Sequence, residues 1–144
     1  LIFTTEQVSS IPLANVSVDI AGILTPVSLE HFDSPTSDEL RHLGITPIEF
    51  TVSWNFVLDG TANDTYAIAL VKLENGSNPQ EVFYQSRVCN NLQGGLQSRD
   101  VAYFNGQIPI VLNQNDSVVW QVINLTNGND CTMEKDSAWY IKER

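Results

Sequence analysis

The chain has 144 residues, of which 42% are hydrophobic and 17% charged, as expected for one globular domain. Acidic residues outnumber basic ones by 17 to 7, for a net charge of −10, and no cluster of Lys or Arg occurs, which excludes a nucleic-acid partner. No apolar run approaches the roughly 20 residues of a membrane span, and because the chain begins with Leu1 rather than Met we expect that a leader has been removed.

Residues 1–20 form an apolar, charge-poor arm. Residues 15–20 alternate as a strand does, but no tight-hairpin signal folds the start of the chain back onto a neighbouring segment. We therefore expect the arm to pair with a distant sheet edge, in its own domain or in another molecule, and residues 21–144 to form a β-sandwich domain. The apolar residues expected to make this contact are Ile2, Phe3, Val16, Val18 and Ile20.

One short helix is predicted between the arm and the first long strand. Ser37 is a suitable N-cap for residues 38–43, with acidic residues at the start, basic residues near the end and Gly44 as the stop signal. His42 would then lie near the helix C-terminus, where the dipole favours a cation.

Residues 48–58 give the clearest strand pattern in the chain. Apolar and polar residues alternate throughout, which predicts a strand with one buried face that includes Trp54. Residues 66–73 follow as a strand that is apolar on both faces, and residues 81–88 form the next strand after an Asn75-Gly76 turn.

Short strands are predicted through the rest of the chain, at residues 101–104, 108–112, 117–125 and 138–142. Turn signals separate them, among them Asn105-Gly106, at a spacing of about 10 residues that is typical of a sandwich or barrel. The predicted fold class is therefore all-β: a single antiparallel β-sandwich, Ig-like or jelly-roll, with an apolar N-terminal arm and one short helix.

Sequons and cysteines indicate an extracellular or cell-surface location. The N-x-[ST] motif occurs more often than chance predicts, although a chain rich in Asn, Ser and Thr also produces it by accident. Cys89 and Cys131 form an even pair whose disulfide would close a loop of about 43 residues; two free, buried cysteines are the alternative. The predicted glycan-bearing residues are Asn15, Asn63, Asn75, Asn115 and Asn124.

The sequence predicts no catalytic residue and no cofactor. A nucleophilic site needs a positioned base, and the two histidines, His31 and His42, have no suitable partners in their surroundings; a pair of convergent carboxylates is the remaining enzymatic alternative. No metal site is predicted, although the oxygen-rich residues 59–64 and 127–130 are an alternative calcium-binding pair of loops. A sugar-binding platform of tryptophans is a further alternative, and Trp139 is the one whose burial the pattern does not settle.

The run IVLNQNDSVVWQV at residues 110–122 resembles the strand, acidic turn and strand near the end of jelly-roll domains of the TNF/C1q type. This resemblance covers under a tenth of the chain. It implies a secreted recognition module that binds a protein receptor or a carbohydrate.

The overall organisation is similar to that of subunits of extracellular filaments assembled by donor-strand exchange, including glycosylated pili and threads of archaea and bacteria. That resemblance implies that the arm of one copy completes the sheet of the next, head to tail, and that the contact propagates into a fibre. The leading hypothesis is therefore a non-enzymatic structural subunit of a glycosylated filament whose partners are other copies of itself and N-linked glycans. A lectin-like or TNF/C1q-like recognition module is the alternative.

Overall fold

The computed structural model describes residues 2–3, 7–9, 17–20, 24–25, 31–36, 39–92, 99–134 and 137–144. Every regular element in these ranges is a β-strand, and none of them contains a helix long and apolar enough to cross a membrane. The strands are β1 (Ile2–Phe3), β2 (Gln7–Ser9), β3 (Ser17–Asp19), β4 (Leu24–Thr25), β5 (Phe32–Asp33), β6 (Glu39–His42), β7 (Ile48–Asp59), β8 (Thr65–Glu74), β9 (Ser77–Val88), β10 (Asn90–Leu92), β11 (Arg99–Leu112), β12 (Ser117–Asn124), β13 (Cys131–Met133) and β14 (Ala138–Glu143).

Two antiparallel sheets of six strands face each other. Sheet I has the order β10-β11-β7-β13-β2, with β14 paired to β7 beside β13, and sheet II has the order β5-β6-β12-β8-β9, with β3 paired to β12. A separate two-stranded pairing joins β1 to β4. The predicted all-β antiparallel sandwich is confirmed.

The core lies between the sheets and is aromatic at its centre. Trp54 of sheet I packs on Trp120 of sheet II with ring centroids 5.0 Å apart, and Phe56 meets Trp120 edge to face at 5.0 Å. Phe83 closes the side of this cluster, 4.5 Å from Trp54. Trp139 is also buried, at 4% exposure, so all three tryptophans belong to the core and none can form a surface platform for sugars.

The long strands arise from the alternation read in the sequence. The buried positions of β7 are the apolar ones predicted, and β8 is buried on both faces over most of its length. The strand at 138–142 is also confirmed, with Trp139 and Ile141 toward the core and Tyr140 exposed.

The predicted helix at 38–43 is wrong where the structure describes it. Residues 39–42 form strand β6, which pairs with β5 on one side and with β12 on the other. Leu40 and His42 are fully buried while the residues before each are half-buried, and this period of two places both side chains against the core. His42 packs against Phe32 and Phe50 and so has no role at a helix terminus. Tertiary pairing overrides the local capping signal.

The predicted turn at Asn105-Gly106 is also wrong. Strand β11 runs unbroken through it, paired with β7 from Val101↔Asp59 to Leu112↔Ile48. Gly106 lies opposite Trp54, and a Cβ atom on this residue would stand 2.7 Å from Cζ2 of that indole. The glycine therefore makes room for the tryptophan instead of bending the chain.

The described parts of the arm pair within their own chain. Strand β2 pairs with β13, β3 pairs with β12, and Ile2 and Phe3 pair with β4. Ile20 is buried at 4% exposure and donates its backbone N–H to the carbonyl oxygen of Trp120. Val18 lies in β3, whereas Val16 lies outside the described residues. The sequence predicts that the arm pairs with a sheet edge either in its own domain or in another molecule, and these pairings are in its own domain. They give the filament hypothesis no support.

Replacing Gly106 by alanine is expected to destabilise the domain by about 1–3 kcal/mol, because Trp54 is held between Phe83 and Trp120 and cannot yield to the new methyl group. Gln107→Ala, one residue further along on the exposed face of the same strand, is the matched control and should change stability by less than about 0.5 kcal/mol. Urea unfolding followed by tryptophan fluorescence measures both. Equal midpoints for the two variants would contradict the close packing of Gly106.

Candidate interaction surface

The face of sheet I that points away from the core is built by three adjacent strands. Trp139, Trp54 and Gly106 are opposite one another in the register and point inward. Their neighbours one residue along therefore point outward together, as the period of two requires. We call these outward residues the neutral face. It consists of Thr51, Ser53, Asn55 and Val57 of β7, Tyr103, Asn105, Gln107, Pro109 and Val111 of β11, and Ala138 and Tyr140 of β14.

Between Glu49 and Lys142, which the same alternation places outward at one end, and Asp59 at the other, the neutral face has no ionisable acid or base other than its tyrosines, although the chain has a net charge of −10. Its large side chains are exposed: Tyr103 at 50%, Val111 at 50% and Tyr140 at 45%. Loss of charge and enrichment in tyrosine are features of the centre of protein–protein interfaces. In a chain with so many acidic residues, a sheet face that only meets solvent would be expected to carry charges. The uncharged neutral face is therefore a candidate contact surface.

Charged residues border the neutral face at one end. Arg144 donates a hydrogen bond from Nη1 to Oε1 of Glu49, and Lys142 is exposed beside Thr51 in the register. Asp59 marks the opposite end of β7. A neutral centre with a charged border is the arrangement of an interface core and rim.

Two depressions adjoin the neutral face. A shallow one of about 210 Å³ lies on it, lined by Thr51, Gln107, Ile108, Pro109 and Arg144. A second, of about 300 Å³, opens at the edge between sheets I and II, and Tyr103 lines it together with Arg87 and Val88. Val88 is itself 49% exposed, so apolar surface continues from the neutral face around this edge of the sandwich.

A buried carboxylate organises one end of the sandwich. Asp64 is 5% exposed and accepts hydrogen bonds from the side-chain amides of Asn124 at 3.3 Å, Asn127 at 3.0 Å and Asn129 at 3.2 Å. These contacts join residues 59–64 and 127–130, the two oxygen-rich loops that are the alternative calcium site in the sequence. Amide N–H groups occupy the carboxylate oxygens here, and the described residues contain no group of three or more acidic, histidine or cysteine side chains fit to hold a metal.

Cys89 and Cys131 are both buried in the main core cluster near this end, and their sulfurs are unbonded in this structure. Burial raises the pKa of Cys131 to about 12, with smaller contributions from Asp130 and Cys89. Burial likewise raises the pKa of Cys89. Such thiols are protonated at neutral pH and are poor nucleophiles.

The sequon asparagines fall into different environments. Asn63, Asn75 and Asn115 are exposed in turns, with φ of 67°, 51° and 68°. Asn124 is in the same kind of motif but is fully buried. Asn15 lies outside the described residues.

The two histidines do not form a catalytic relay with each other. His31 is exposed in the turn before β5, while His42 is buried and its Nδ1 donates to the carbonyl oxygen of Asn113 at 3.2 Å. The carbonyl oxygen of His31 accepts the backbone N–H of Leu43, a contact that holds the β5–β6 hairpin rather than a reacting group.

The sequence does not predict the neutral face, although part of its signal is present. The alternation at residues 48–58 predicts only that one side of the strand is polar, and no charge occurs between Glu49 and Asp59. Tyr103 and Tyr140 could not be joined to this strand because the pairing of β11 and β14 with β7 is a tertiary fact.

Solved structures share this architecture at low sequence identity. A crystal structure of murine APRIL at pH 8.0 matches with a TM-score of 0.64 and 10% identity, over 97% of this chain and 92% of that chain. The structure of Eiger TNF from S. frugiperda matches with a TM-score of 0.57 and 10% identity, over 97% of this chain and 89% of that chain. No protein-family model and no curated protein matches the sequence. The likeness shows the fold: this chain is an all-β sandwich of the TNF-like jelly-roll type, as the resemblance at residues 110–122 implies.

Proposed function

We propose that this chain is an extracellular recognition module of the TNF-like type, not an enzyme, which associates with further copies of itself through the neutral face and binds a protein receptor. The observation that carries the proposal is the uncharged, tyrosine-bearing middle of the outward face of sheet I, in a chain of net charge −10. The TNF-like fold supports it over the filament hypothesis.

Self-association is favoured over a free monomer by the composition of the neutral face. Two acidic molecules repel each other, and the repulsion is smallest where they meet through surfaces that lack charge. Tyr103 and Tyr140 are about half exposed, and each can bury a large ring with little loss of side-chain entropy. The same chemistry would not select a polyanion or a lipid surface as the partner.

A protein receptor is favoured over a carbohydrate as the external ligand. The three tryptophans weighed as a sugar platform are all in the core, and the exposed rings of the neutral face, Tyr103 and Tyr140, are assigned to self-association. The net charge of −10 points to a receptor with a basic surface, since opposite charge steers association. Salt should therefore slow the association rate more than it changes the dissociation rate.

The double variant Tyr103→Asp/Tyr140→Asp is expected to convert oligomers of this chain into monomers. A tyrosine at the centre of an interface contributes about 2 kcal/mol or more, which is roughly a 30-fold or greater change in Kd for each site. Sedimentation velocity on the unglycosylated protein measures the oligomeric state over a range of concentrations. The far-UV circular dichroism of the variant should be unchanged because both side chains lie on the exposed face.

Tyr84→Asp is the matched control. Tyr84 is 44% exposed on β9, on the outward face of sheet II, and should leave the oligomeric state as it is. A wild-type protein that stays monomeric at high concentration, or equal dissociation by Tyr84→Asp, would contradict the proposal. Filaments in electron micrographs would favour the donor-strand hypothesis instead.

An extracellular location also predicts that Cys89 and Cys131 are joined by a disulfide in the secreted protein. We expect a linked Cys89–Cys131 peptide in a non-reducing digest, and a loss of about 4 kcal/mol of unfolding free energy on reduction, because the bridge closes a loop of about 43 residues. The measurement is peptide mapping by mass spectrometry after alkylation in denaturant. Quantitative alkylation of both thiols without a reductant would show that they are free.

A further inference from the structure

The side chain of Asn124 is buried, and its polar atoms form hydrogen bonds inside the protein. It is 0% exposed, and its Nδ2 atom contacts Oδ2 of Asp64 at 3.3 Å, Oδ1 of Asn127 at 3.0 Å and the carbonyl oxygen of Asn129 at 3.2 Å. Its Oδ1 atom accepts the backbone N–H groups of Thr126 and Asn127. Both polar atoms of this side chain therefore have partners inside the protein, and an amide substituted at Nδ2 would keep its Oδ1 acceptor but only one of its two N–H donors.

The asparagines of three other sequons are in the opposite situation. Asn63, Asn75 and Asn115 are exposed at the β7–β8, β8–β9 and β11–β12 turns. Each has a left-handed backbone, which asparagine tolerates better than most residues, so the local turn explains the residue type and leaves the side chain in solvent. Their accessibility thus differs from that of Asn124, although all four motifs fit N-x-[ST].

The three exposed asparagines lie at turns beyond the ends of the strands and not in the middle of the neutral face. Asn75 and Asn115 are at the same end of the sandwich: the backbone N–H of Asn75 donates to Oδ1 of Asp116, the residue after Asn115. Asn63 is at the other end, where its N–H donates to the carbonyl oxygen of Cys89. Groups attached at these turns extend from the ends of the strands and leave the middle of sheet I uncovered.

We propose that the folded protein carries N-glycans at Asn63, Asn75 and Asn115 and none at Asn124, so that glycans cover both ends of the sandwich and the neutral face stays bare. This inference rests on the extracellular location in the proposed function. In the reaction, Nδ2 of asparagine forms a bond to the anomeric carbon of a lipid-pyrophosphate-linked oligosaccharide, loses one proton, and the lipid pyrophosphate departs.

A glycan at Asn124 is incompatible with the fold. The new bond replaces an N–H hydrogen by a sugar ring at a site with no exposure, and the partners of that N–H would lose their donor. Asp64 would then be a buried carboxylate with fewer donors, which is the costly outcome of breaking such a network. Chains modified at Asn124 are therefore absent from the folded, secreted population.

The test is site-resolved glycopeptide mapping of the full chain secreted from a eukaryotic cell line. Enzymatic deglycosylation in ¹⁸O water labels each occupied asparagine as it becomes aspartate. We expect the label at Asn63, Asn75 and Asn115 and unmodified asparagine at 124. A glycan on Asn124 in folded protein, or unmodified asparagine at all three exposed positions, would overturn the proposal.

Two sequon-removing variants provide matched controls. Thr126→Ala removes the sequon of Asn124 but keeps the asparagine, and the secreted protein should have the glycan mass of the wild type. Ser77→Ala, at an exposed position, should lose the mass of one glycan, that of Asn75. A loss of one glycan with Thr126→Ala would contradict the proposal, and the mapping of the wild type does not depend on how either variant folds.

A peptide of residues 120–130 separates burial from sequence as the cause. Incubated with the oligosaccharyltransferase and its lipid-linked donor, the peptide should be glycosylated at Asn124, whereas the folded domain made in bacteria should not. Failure of the peptide to react would show that the motif itself is a poor acceptor and would overturn the role assigned to burial. The oligomeric state of the bacterial protein is measured independently, so failure of the glycan proposal and failure of self-association are distinguishable.

Discussion

The contact between Trp54 and Trp120 is the constraint on which the rest of the molecule depends. It joins the middle of one sheet to the middle of the other, with ring centroids 5.0 Å apart, and Phe56 and Phe83 pack around it. The indole of Trp54 leaves no room for a side chain at the facing position of β11, and the residue there, Gly106, has none. The pairing of β11 with β7 is thereby fixed in one register, because a shift of one residue would bring a side chain against the indole and turn the apolar residues outward.

The neutral face follows from that register. With Trp54 and Gly106 inward, Ser53 and Gln107 must be outward, and the same alternation places Tyr103 and Tyr140 on the solvent side. The residues that make the core therefore also determine which residues are available for contact. A surface built on three long, paired strands is rigid, so little order has to be gained when a partner binds.

The two ends of the sandwich are closed by buried carboxylates that are satisfied in different ways. Asp64 is held by three neutral amides, whereas Asp116 has the ammonium of Lys72 at 3.3 Å and the backbone N–H of Asn113 at 2.9 Å. Removing a partner from either would leave a desolvated charge, which costs more than the pair contributes. Asp64 and Asp116 each lie in a turn directly after an exposed sequon asparagine. In each turn the aspartate is buried and hydrogen-bonded while the asparagine before it is exposed to solvent.

Strands with clear alternation could be predicted from the sequence, and local signals that compete with tertiary structure could not. The pattern at residues 48–58 identified β7 and its buried face, including Trp54, because burial on one face of a strand leaves a period of two. Residues 39–42 satisfied the rules for a helix, but burial of Leu40 against the core and pairing with β12 decide their conformation. Asn105-Gly106 satisfied the rules for a turn, but the space is required by Trp54. The neutral face depends on pairs of residues about 50 and 90 positions apart, which no local pattern contains.

Asn124 shows why local motifs and buried positions must be considered together. A sequon is defined over three residues, while burial of this asparagine depends on Asp64, which is 60 residues away. The exposed sequons and the neutral face then have complementary roles for a chain of net charge −10. The glycans proposed at these turns would block contact at the ends, and charge repulsion is screened beyond about 8 Å at physiological ionic strength. Under the proposed function, a second copy approaches through the uncharged middle of sheet I, which the proposed glycans leave uncovered.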